Sequence, residues 1–168
     1  MGALNDSMND FYSNESGHLL SLGSLFVNDH LDNIGASASH YFAFTVGATK
    51  LKLFDFLINT LSPDTTIEFY EDGTYTLGAD NPFLTMNRAR GPFAAPFTDT
   101  KDDVTITVAG TRIRHGKVFS ASKKDAAQFG VDVGMILKEN TVYYFHVRNN
   151  DVSAHDYDFT IIVGITHA

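Results

Sequence analysis

The side chains that most often carry chemistry are sparse in this chain and follow no familiar motif. Its 168 residues include seven histidines and no cysteine, which excludes thiol nucleophiles, thiolate metal sites and disulfides. No two histidines are two or four residues apart, the spacings that present two imidazole rings to one metal ion. The pattern predicts no metal site and leaves open only one assembled from distant strands; solvent-facing or hydrogen-bonded histidines are the simpler interpretation. The histidines are His18, His30, His40, His115, His146, His155 and His167.

Two groups of oxygen-bearing side chains are of the kind that calcium binds on loops. The first lies in a predicted loop and consists of Asp99, Asp102 and Asp103. The second surrounds another loop and consists of Asn149, Asn150, Asp151, Asp156 and Asp158. Neither group follows the EF-hand spacing. Because Asp and Asn favour turns on their own account, a turn-forming role is the simpler interpretation, and no cofactor is predicted.

No pattern of catalytic residues stands out elsewhere. Arg88 and Arg90 project to the same side of a predicted strand and could hold a carboxylate, but a structural ion-pair ladder is the simpler prediction. Its acidic partners would come from the preceding strand: Glu68, Glu71 and Asp72. There is no nucleotide-binding glycine loop, no nucleophile elbow and no zinc-protease motif. Nothing marks a pair of carboxylates for glycoside hydrolysis, which requires a defined separation. We therefore predict that the protein is not an enzyme.

Charge and hydropathy narrow the classes of partner. The net charge of −8 disfavours binding to nucleic acid, which requires a basic surface. No run approaches 18 apolar residues, and the first ten residues lack the basic and apolar regions of a secretory signal. We expect a soluble protein that binds neither nucleic acid nor membrane.

The elements that would position any site are β-strands. Near the C-terminus, two runs alternate apolar and polar residues with a period of two, which is typical of half-buried strands. The inward side chains are Tyr143, Phe145 and Val147 in the first run, and Tyr157, Phe159, Ile161, Val163 and Ile165 in the second. Similar short runs, spaced by turns, predict an all-β protein: an antiparallel, jelly-roll-like sandwich of about eight strands.

The predicted sandwich occupies residues 38–168 and is preceded by an N-terminal arm and lead-in segment, residues 1–37. The first 17 residues are rich in Asn, Ser and Asp, and hold too few apolar side chains to offset the entropy of ordering them. Residues 18–37 fit either a short helix or an edge strand. Residues 91–103 contain two prolines and read as a loop.

Seven apolar side chains are candidates for an interface between subunits or with a partner. Alternation in the predicted strand 50–59 places Phe54, Phe56 and Ile58 on one face, with Leu53 and Leu57 on the other. One core can bury only one of these faces. The remaining candidates are Phe93 and Phe97 in the proline-containing loop, and Phe11 and Tyr12 in the arm. The alternative is that the loop folds back over the sandwich and residues 18–37 cover the strand.

Several motifs give the chain a resemblance to a known family. Tyr70-Glu71 is followed by Asp72-Gly73-Thr74, and residues 85–90 read Thr-Met-Asn-Arg-Ala-Arg. Residues 103–111 form a Thr-rich strand ending in Gly110-Thr111, and residues 137–143 read Leu-Lys-Glu-Asn-Thr-Val-Tyr. The upstream part of the resemblance consists of four residues: His30, Ile34, Gly35 and Tyr41. Over about residues 30–168 the chain resembles capsid decoration (cement) and minor head proteins of tailed bacteriophages. The Asn-Thr turn before Tyr143 also resembles the tyrosine corner of Greek-key sandwiches.

The resemblance implies a non-enzymatic virion protein that binds the outer surface of a phage capsid and stabilises it. Its partner would be the major capsid protein of the shell. It would assemble as a homo-oligomer, a dimer or trimer, and would be soluble in the host cytoplasm before joining the virion surface. The alternative is a carbohydrate- or receptor-binding sandwich of a phage tail or fibre protein. A sugar-binding face favours a flat row of Trp or Tyr, and the chain has no Trp.

Overall fold

The computed structural model describes residues 24–85, 96–118, 127–130 and 135–165, and every regular element among them is a β-strand. The strands are β1 (Leu25–Ile34), β2 (Ser39–Val46), β3 (Leu51–Thr60), β4 (Thr65–Glu71), β5 (Thr74–Thr76), β6 (Ala79–Asp80), β7 (Leu84–Thr85), β8 (Phe97–Asp102), β9 (Thr105–Val108), β10 (Thr111–Val118), β11 (Ala127–Gly130), β12 (Met135–Leu137), β13 (Val142–Asn149) and β14 (His155–Ile165). The predicted all-β class is confirmed. Within the described ranges, no helix is long and apolar enough to cross a membrane.

Two antiparallel sheets form the sandwich. The first has the order β11-β3-β14-β1-β7, with β12 also paired to β3, and the second has the order β10-β4-β13-β2-β8-β6. The first strand pairs with the last, and the second pairs with the penultimate, so that neighbours in sequence cross between the sheets. This is the wrapping of a jelly roll, which confirms the predicted fold. The predicted count of about eight strands fits the jelly-roll frame, by which we mean the sandwich without β5 to β9. Those five strands are inserted between β4 and β10, and we call them the insertion.

The two C-terminal strands lie at the centres of the two sheets. β14 lies between β3 and β1, and β13 lies between β4 and β2. Tyr157, Phe159, Ile161 and Val163 are at most 2% exposed, and Ile165 is half-buried. Each such burial contributes about 1.5–3 kcal/mol. The predicted inward faces of both strands are therefore confirmed.

A β-bulge in β3 changes which of its residues face the core. Asp55 pairs with Ile162 and Leu53 with Val163, so Phe54 is an extra residue without a partner in β14. A bulge of this kind shifts the alternation of side chains by one position. The core side chains of β3 are Leu51, Leu53, Phe56 and Ile58. The prediction that Phe54, Phe56 and Ile58 share one face, opposite Leu53, is therefore wrong.

The described part of the lead-in segment belongs to the sandwich. All ten residues of β1 pair with β14, and Phe26 and Ile34 are buried in the core. The predicted domain boundary at residue 38 is therefore wrong for residues 25–34. The sequence predicted either a short helix or an edge strand here; residues 25–34 form a strand, but β7 pairs with its start, so β1 is not the last strand of its sheet. Residues 1–23, which include most of the predicted arm, lie outside the described residues.

The insertion adds β8 and β6 to the second sheet, β7 to the first sheet, and a cover over the outer face of the second sheet. β8 pairs with β2, so residues 97–102 form a strand where the sequence predicted a loop. β5 and β9 pair with each other over the second sheet. There a small apolar cluster forms outside the main core, from Ala43, Val104 and Tyr144 with Tyr41, Tyr70, Tyr75 and Ile106.

The predicted tyrosine corner is present where β12 leads into β13. The backbone N–H of Lys138 donates a hydrogen bond to the hydroxyl oxygen of Tyr143, at 2.7 Å. The ammonium of Lys138 lies 2.7 Å from Oε1 of Glu71 at the end of β4. This corner connects the end of β4 to the β12–β13 turn, two segments that are far apart in sequence.

Candidate functional site

A row of polar side chains interrupts the core face of β1. Residues 26, 28, 30, 32 and 34 all point inward, and the middle three are Asn28, His30 and Asp32 rather than apolar residues. A strand with one buried face normally carries apolar residues at these positions. The side chain of His30 is only 11% exposed and that of Asp32 is 27% exposed. The row therefore carries polar groups into the space between the sheets.

The second sheet places one histidine and one aspartate against this row. His40 begins the inward face of β2, and Asp102 ends β8 directly opposite Phe42. His40 Nε2 lies 2.8 Å from Asp102 Oδ1 and 3.2 Å from Asp32 Oδ2. His30 Nε2 lies 3.4 Å from Asp32 Oδ2 and 3.7 Å from Asp102 Oδ1. One donor atom from each of the four side chains lies within 4.8 Å of the other three. We call His30, Asp32, His40 and Asp102 the quartet.

Hydrogen bonds and aromatic rings fix the orientation of His30. Asn28 Nδ2 donates to the backbone oxygen of Asn81 at 2.9 Å, so Asn28 Oδ1 is the atom that faces His30 Nδ1, at 2.7 Å. Because that oxygen can only accept, Nδ1 carries the proton and neutral His30 presents a lone pair at Nε2. Its ring stacks on Phe159 at a centroid distance of 4.9 Å and lies 5.3 Å from Phe42. His30 is thus held with Nε2 directed at the carboxylates.

The protonation of the quartet follows from burial and from its charges. Burial lowers the pKa of His30 and outweighs the charges of Asp102 and Asp32. For His40, the hydrogen bond and charge of Asp102 outweigh burial and raise the pKa. Burial raises the pKa of Asp32, whereas the bond from His40 outweighs burial and lowers the pKa of Asp102. The quartet therefore contains one ion pair, between His40 and Asp102. Its other two members, His30 and Asp32, are groups whose charged forms are disfavoured by burial.

Two atoms of the quartet have no hydrogen-bond partner among the described residues. They are His30 Nε2 and Asp32 Oδ2, both of which are buried. A buried polar atom left unpaired costs about 1–3 kcal/mol. Two imidazole nitrogens and two carboxylate oxygens thus converge on one region, an arrangement that can share protons or hold a cation.

A second charged cluster lies on the outer face of the second sheet, around Glu68. Burial would raise the pKa of this carboxyl, but hydrogen bonds from Arg112, His146, Tyr70 and His115 outweigh it and lower the pKa to about 2. Arg112 Nη1 donates to Glu68 Oε1 at 2.6 Å. Arg88 and Arg90, the predicted partners of Glu68, lie outside the described residues. The cluster is an ion-pair network on the sheet surface.

The predicted oxygen-rich groups have separate structural roles. Asp99 and Asp102 lie on β8 rather than in a loop; Asp99 accepts a hydrogen bond from the Tyr75 hydroxyl at 2.9 Å. Asn149 is fully buried, and its amide donates to the backbone oxygens of Ile34, Gly35 and Ser153. These contacts favour the turn-forming interpretation of the Asp and Asn residues near the β13–β14 loop.

The interface candidates that the structure describes do not share one surface. Phe56 and Ile58 fill the core of the sandwich, at 1% and 0% exposed, so neither is available to a partner in this fold. Phe54 is half-buried, with the ammonium of Lys52 4.8 Å from its ring centroid. Phe97 packs on the core and stacks with Phe83 at 4.3 Å, as the fold-back alternative expects. Phe11, Tyr12 and Phe93 lie outside the described residues.

Sequence reasoning missed the quartet because it compared histidines only with one another. His30 and Asp32 have the i, i+2 spacing that places two ligands on one face of a strand. The polar residues at 28, 30 and 32 between Phe26 and Ile34 would have shown a strand with an unusual inward face. The contribution of Asp102, 62 residues beyond His40, depends on the topology and has no local signal.

No protein-family model matches this chain, and a comparison with curated proteins finds none that is similar.

Proposed function

We propose that the chain is a non-enzymatic virion structural protein that binds the outer surface of a phage capsid and stabilises it. One observation carries this proposal: three of the motifs behind the resemblance, residues 70–74, 103–111 and 137–143, meet at one corner of the fold. Glu71 pairs with both Thr111 and Tyr143, and the N–H of Asp72 donates to the oxygen of Val142 at 2.9 Å. A Cβ on Gly110 would lie 2.3 Å from the oxygen of Glu71.

This convergence gives the motifs a shared architectural purpose. Residues 70–74, 103–111 and 137–143 are separated by dozens of positions in the sequence. Together they build the joint that connects β4, β10, β12 and β13. A resemblance of this kind supports a structural class rather than a particular chemistry. This is consistent with a protein that acts by binding a partner.

The proposed partner is the major capsid protein, with the chain acting as a dimer or trimer. Three large apolar side chains are strongly exposed and are available for such contacts. Val152 is 85% exposed, Leu77 78% and Leu31 68%. Among the described interface candidates, Phe54 and Phe97 retain accessible surface on strands, and Phe54 is the one of these two that does not pack on the core.

The alternative, a receptor- or carbohydrate-binding module, draws on a groove beside the insertion. Tyr41, Leu77 and Ile106 line it together with Ser39, Gly78, Ala79, Asp103, Val104 and Thr105. The Tyr41 ring, however, stacks on His146 at 4.6 Å. One of its faces is therefore already covered, and the flat aromatic row that sugars favour is missing from this groove.

Co-sedimentation with shells tests the proposal. Purified chain is mixed with expanded shells built from the major capsid protein of the phage that encodes it, and its occupancy and the heat stability of the shells are measured. Saturable binding with a higher shell melting temperature supports the proposal. Phe54→Ser should lower occupancy, while Ser153→Ala, an exposed loop change, serves as the control. Absence of binding at micromolar concentration refutes the proposal.

A further inference from the structure

We propose that the quartet is a binding site for one divalent transition-metal ion of the Zn²⁺ type, which links the two sheets of the sandwich. His30 and Asp32 come from β1 in the first sheet, and His40 and Asp102 come from β2 and β8 in the second. This inference does not depend on the proposed virion function.

The spacing of the donor atoms matches four-coordinate geometry. Ligand atoms bound about 2.0–2.2 Å from a tetrahedral ion lie roughly 3.3–3.6 Å from each other. The two His–Asp distances between the sheets are 3.2 and 3.7 Å, and the two within a sheet are 3.4 Å on β1 and 2.8 Å between β2 and β8. Three of these four distances lie close to the edge length of a tetrahedral site, and the fourth is the hydrogen bond between His40 and Asp102, which a bound ion would replace. All four donor atoms lie within 4.8 Å of one another.

The donor set also identifies the class of ion. Two imidazole nitrogens with two carboxylate oxygens suit zinc and neighbouring first-row metals, whereas Mg²⁺ and Ca²⁺ favour oxygen ligands alone. An ion would displace the proton that His40 shares with Asp102. Two carboxylates and two neutral imidazoles then carry a charge of −2, which a divalent ion balances. The ion would also supply a partner to His30 Nε2 and Asp32 Oδ2, two buried atoms that make no hydrogen bond within the described ranges.

The surroundings of the quartet orient its ligands before any ion binds. Metal-binding histidines usually donate their second ring nitrogen to a fixed acceptor. His30 does so to Asn28, whose amide is held by Asn81. Phe159 stacks on the His30 ring and lies 5.7 Å from that of His40. Four protein ligands fill a tetrahedral set and leave no position for substrate, so we assign a structural rather than a catalytic ion.

A metal-free ion-pair network is the competing explanation, and metal titration separates the two. The full chain is stripped with chelator and titrated with ZnCl₂ by calorimetry, and with Co²⁺ by visible absorption. The expected result is one ion per chain, the strong absorption of four-coordinate Co²⁺, and no response to Mg²⁺. Absence of uptake, or the weak spectrum of six-coordinate Co²⁺, overturns the proposal. This measurement uses the unmodified protein and needs no variant to fold.

Variants then test which residues bind. Asp32→Asn, which keeps the shape of the side chain, should weaken Zn²⁺ binding by more than 100-fold, and Asn28→Ala by about 10- to 100-fold. The matched control is His155→Gln, which removes a histidine whose Nε2 lies 2.6 Å from Asp151, away from the quartet. Zn²⁺ should raise the melting temperature of the control and of the native chain, but not of Asp32→Asn. Equal Zn²⁺ affinity in Asp32→Asn and in the control overturns the assignment.

Discussion

The bulge in β3 makes a sharp prediction about two phenylalanines in one strand. Phe56 is 1% exposed, and its ring stacks on Phe145 at a centroid distance of 3.6 Å. Phe145 in turn stacks on Phe69 at 4.3 Å. Phe56→Ala removes one member of this stack from the centre of the core. Phe54, two residues earlier, is half-buried on the other face and serves as the matched control.

The expected loss is large relative to the stability of one domain. Truncating a buried Phe costs about 3–5 kcal/mol, which includes the roughly 0.5–1.5 kcal/mol that each aromatic pair adds to burial. A domain of this size is stable by about 5–15 kcal/mol. Phe56→Ala should therefore remove about a fifth or more of the free energy of unfolding, whereas Phe54→Ala should cost about 1 kcal/mol or less.

Urea unfolding followed by circular dichroism measures both changes. With a slope of about 1–3 kcal/mol per molar urea, Phe56→Ala should lower the midpoint by more than 1 M, and Phe54→Ala by much less. Unbroken alternation along β3 predicts that the two variants lose similar stability. Equal shifts in the midpoint would therefore refute the bulge and the face assignment that depends on it.

Three further changes probe the surface cluster and the corner. The pKa of Glu68 is lowered in the folded state to about 2, so its network contributes its full stabilisation above the unfolded pKa near 4.5 and loses it as the pH falls towards 2. Glu68→Gln should cost about 1–2 kcal/mol at pH 7, a figure reduced for solvent screening at the exposed Arg112. The variant should also make the free energy of unfolding depend less on pH between about 4.5 and 2. Tyr143→Phe should cost about 1–2 kcal/mol in thermal melts, because the Lys138 N–H loses its acceptor; an unchanged melting temperature would contradict this. Gly110→Ala should cost at least about 1–3 kcal/mol in urea, since Gly110 has φ +67° and no room for a Cβ beside Glu71; a neutral result would show that the turn can rearrange.

Strands with one clear apolar face could be predicted from the sequence. In β14, four core residues alternate with exposed or half-exposed ones, so periodicity determines both the strand and its inward face. β3 could not be predicted in the same way, because a bulge depends on the partner strand and leaves no mark in a run of apolar residues. The core face of β1 escaped recognition because three of its five inward residues are polar.

The candidate site depends on contacts between residues that are much further apart in the sequence than those within any one strand. His30 and Asp32 are neighbours on β1, but His40 joins them only because the chain crosses to the other sheet, and Asp102 joins only because β8 pairs with β2. The insertion between β4 and β10 therefore completes the quartet. A jelly-roll frame without this insertion would hold three of the four side chains, so the site belongs to this chain's elaboration of the fold.

The quartet and the tyrosine corner occupy different ends of the sandwich. β2 begins beside the quartet at His40 and ends at Val46, whose N–H donates to the oxygen of Thr141 in the corner, at 3.0 Å. Six residues of strand span about 20 Å. Removal of a bound ion should therefore loosen β1, β2 and β8 near the quartet and leave the corner intact. Hydrogen exchange of the Zn²⁺-loaded and chelated chain should differ around residues 30–32, 40 and 102 and agree around 138–143. Uniform loss of protection would mean that the ion stabilises the whole fold, and would contradict the expectation that the quartet and the corner stabilise the two ends independently.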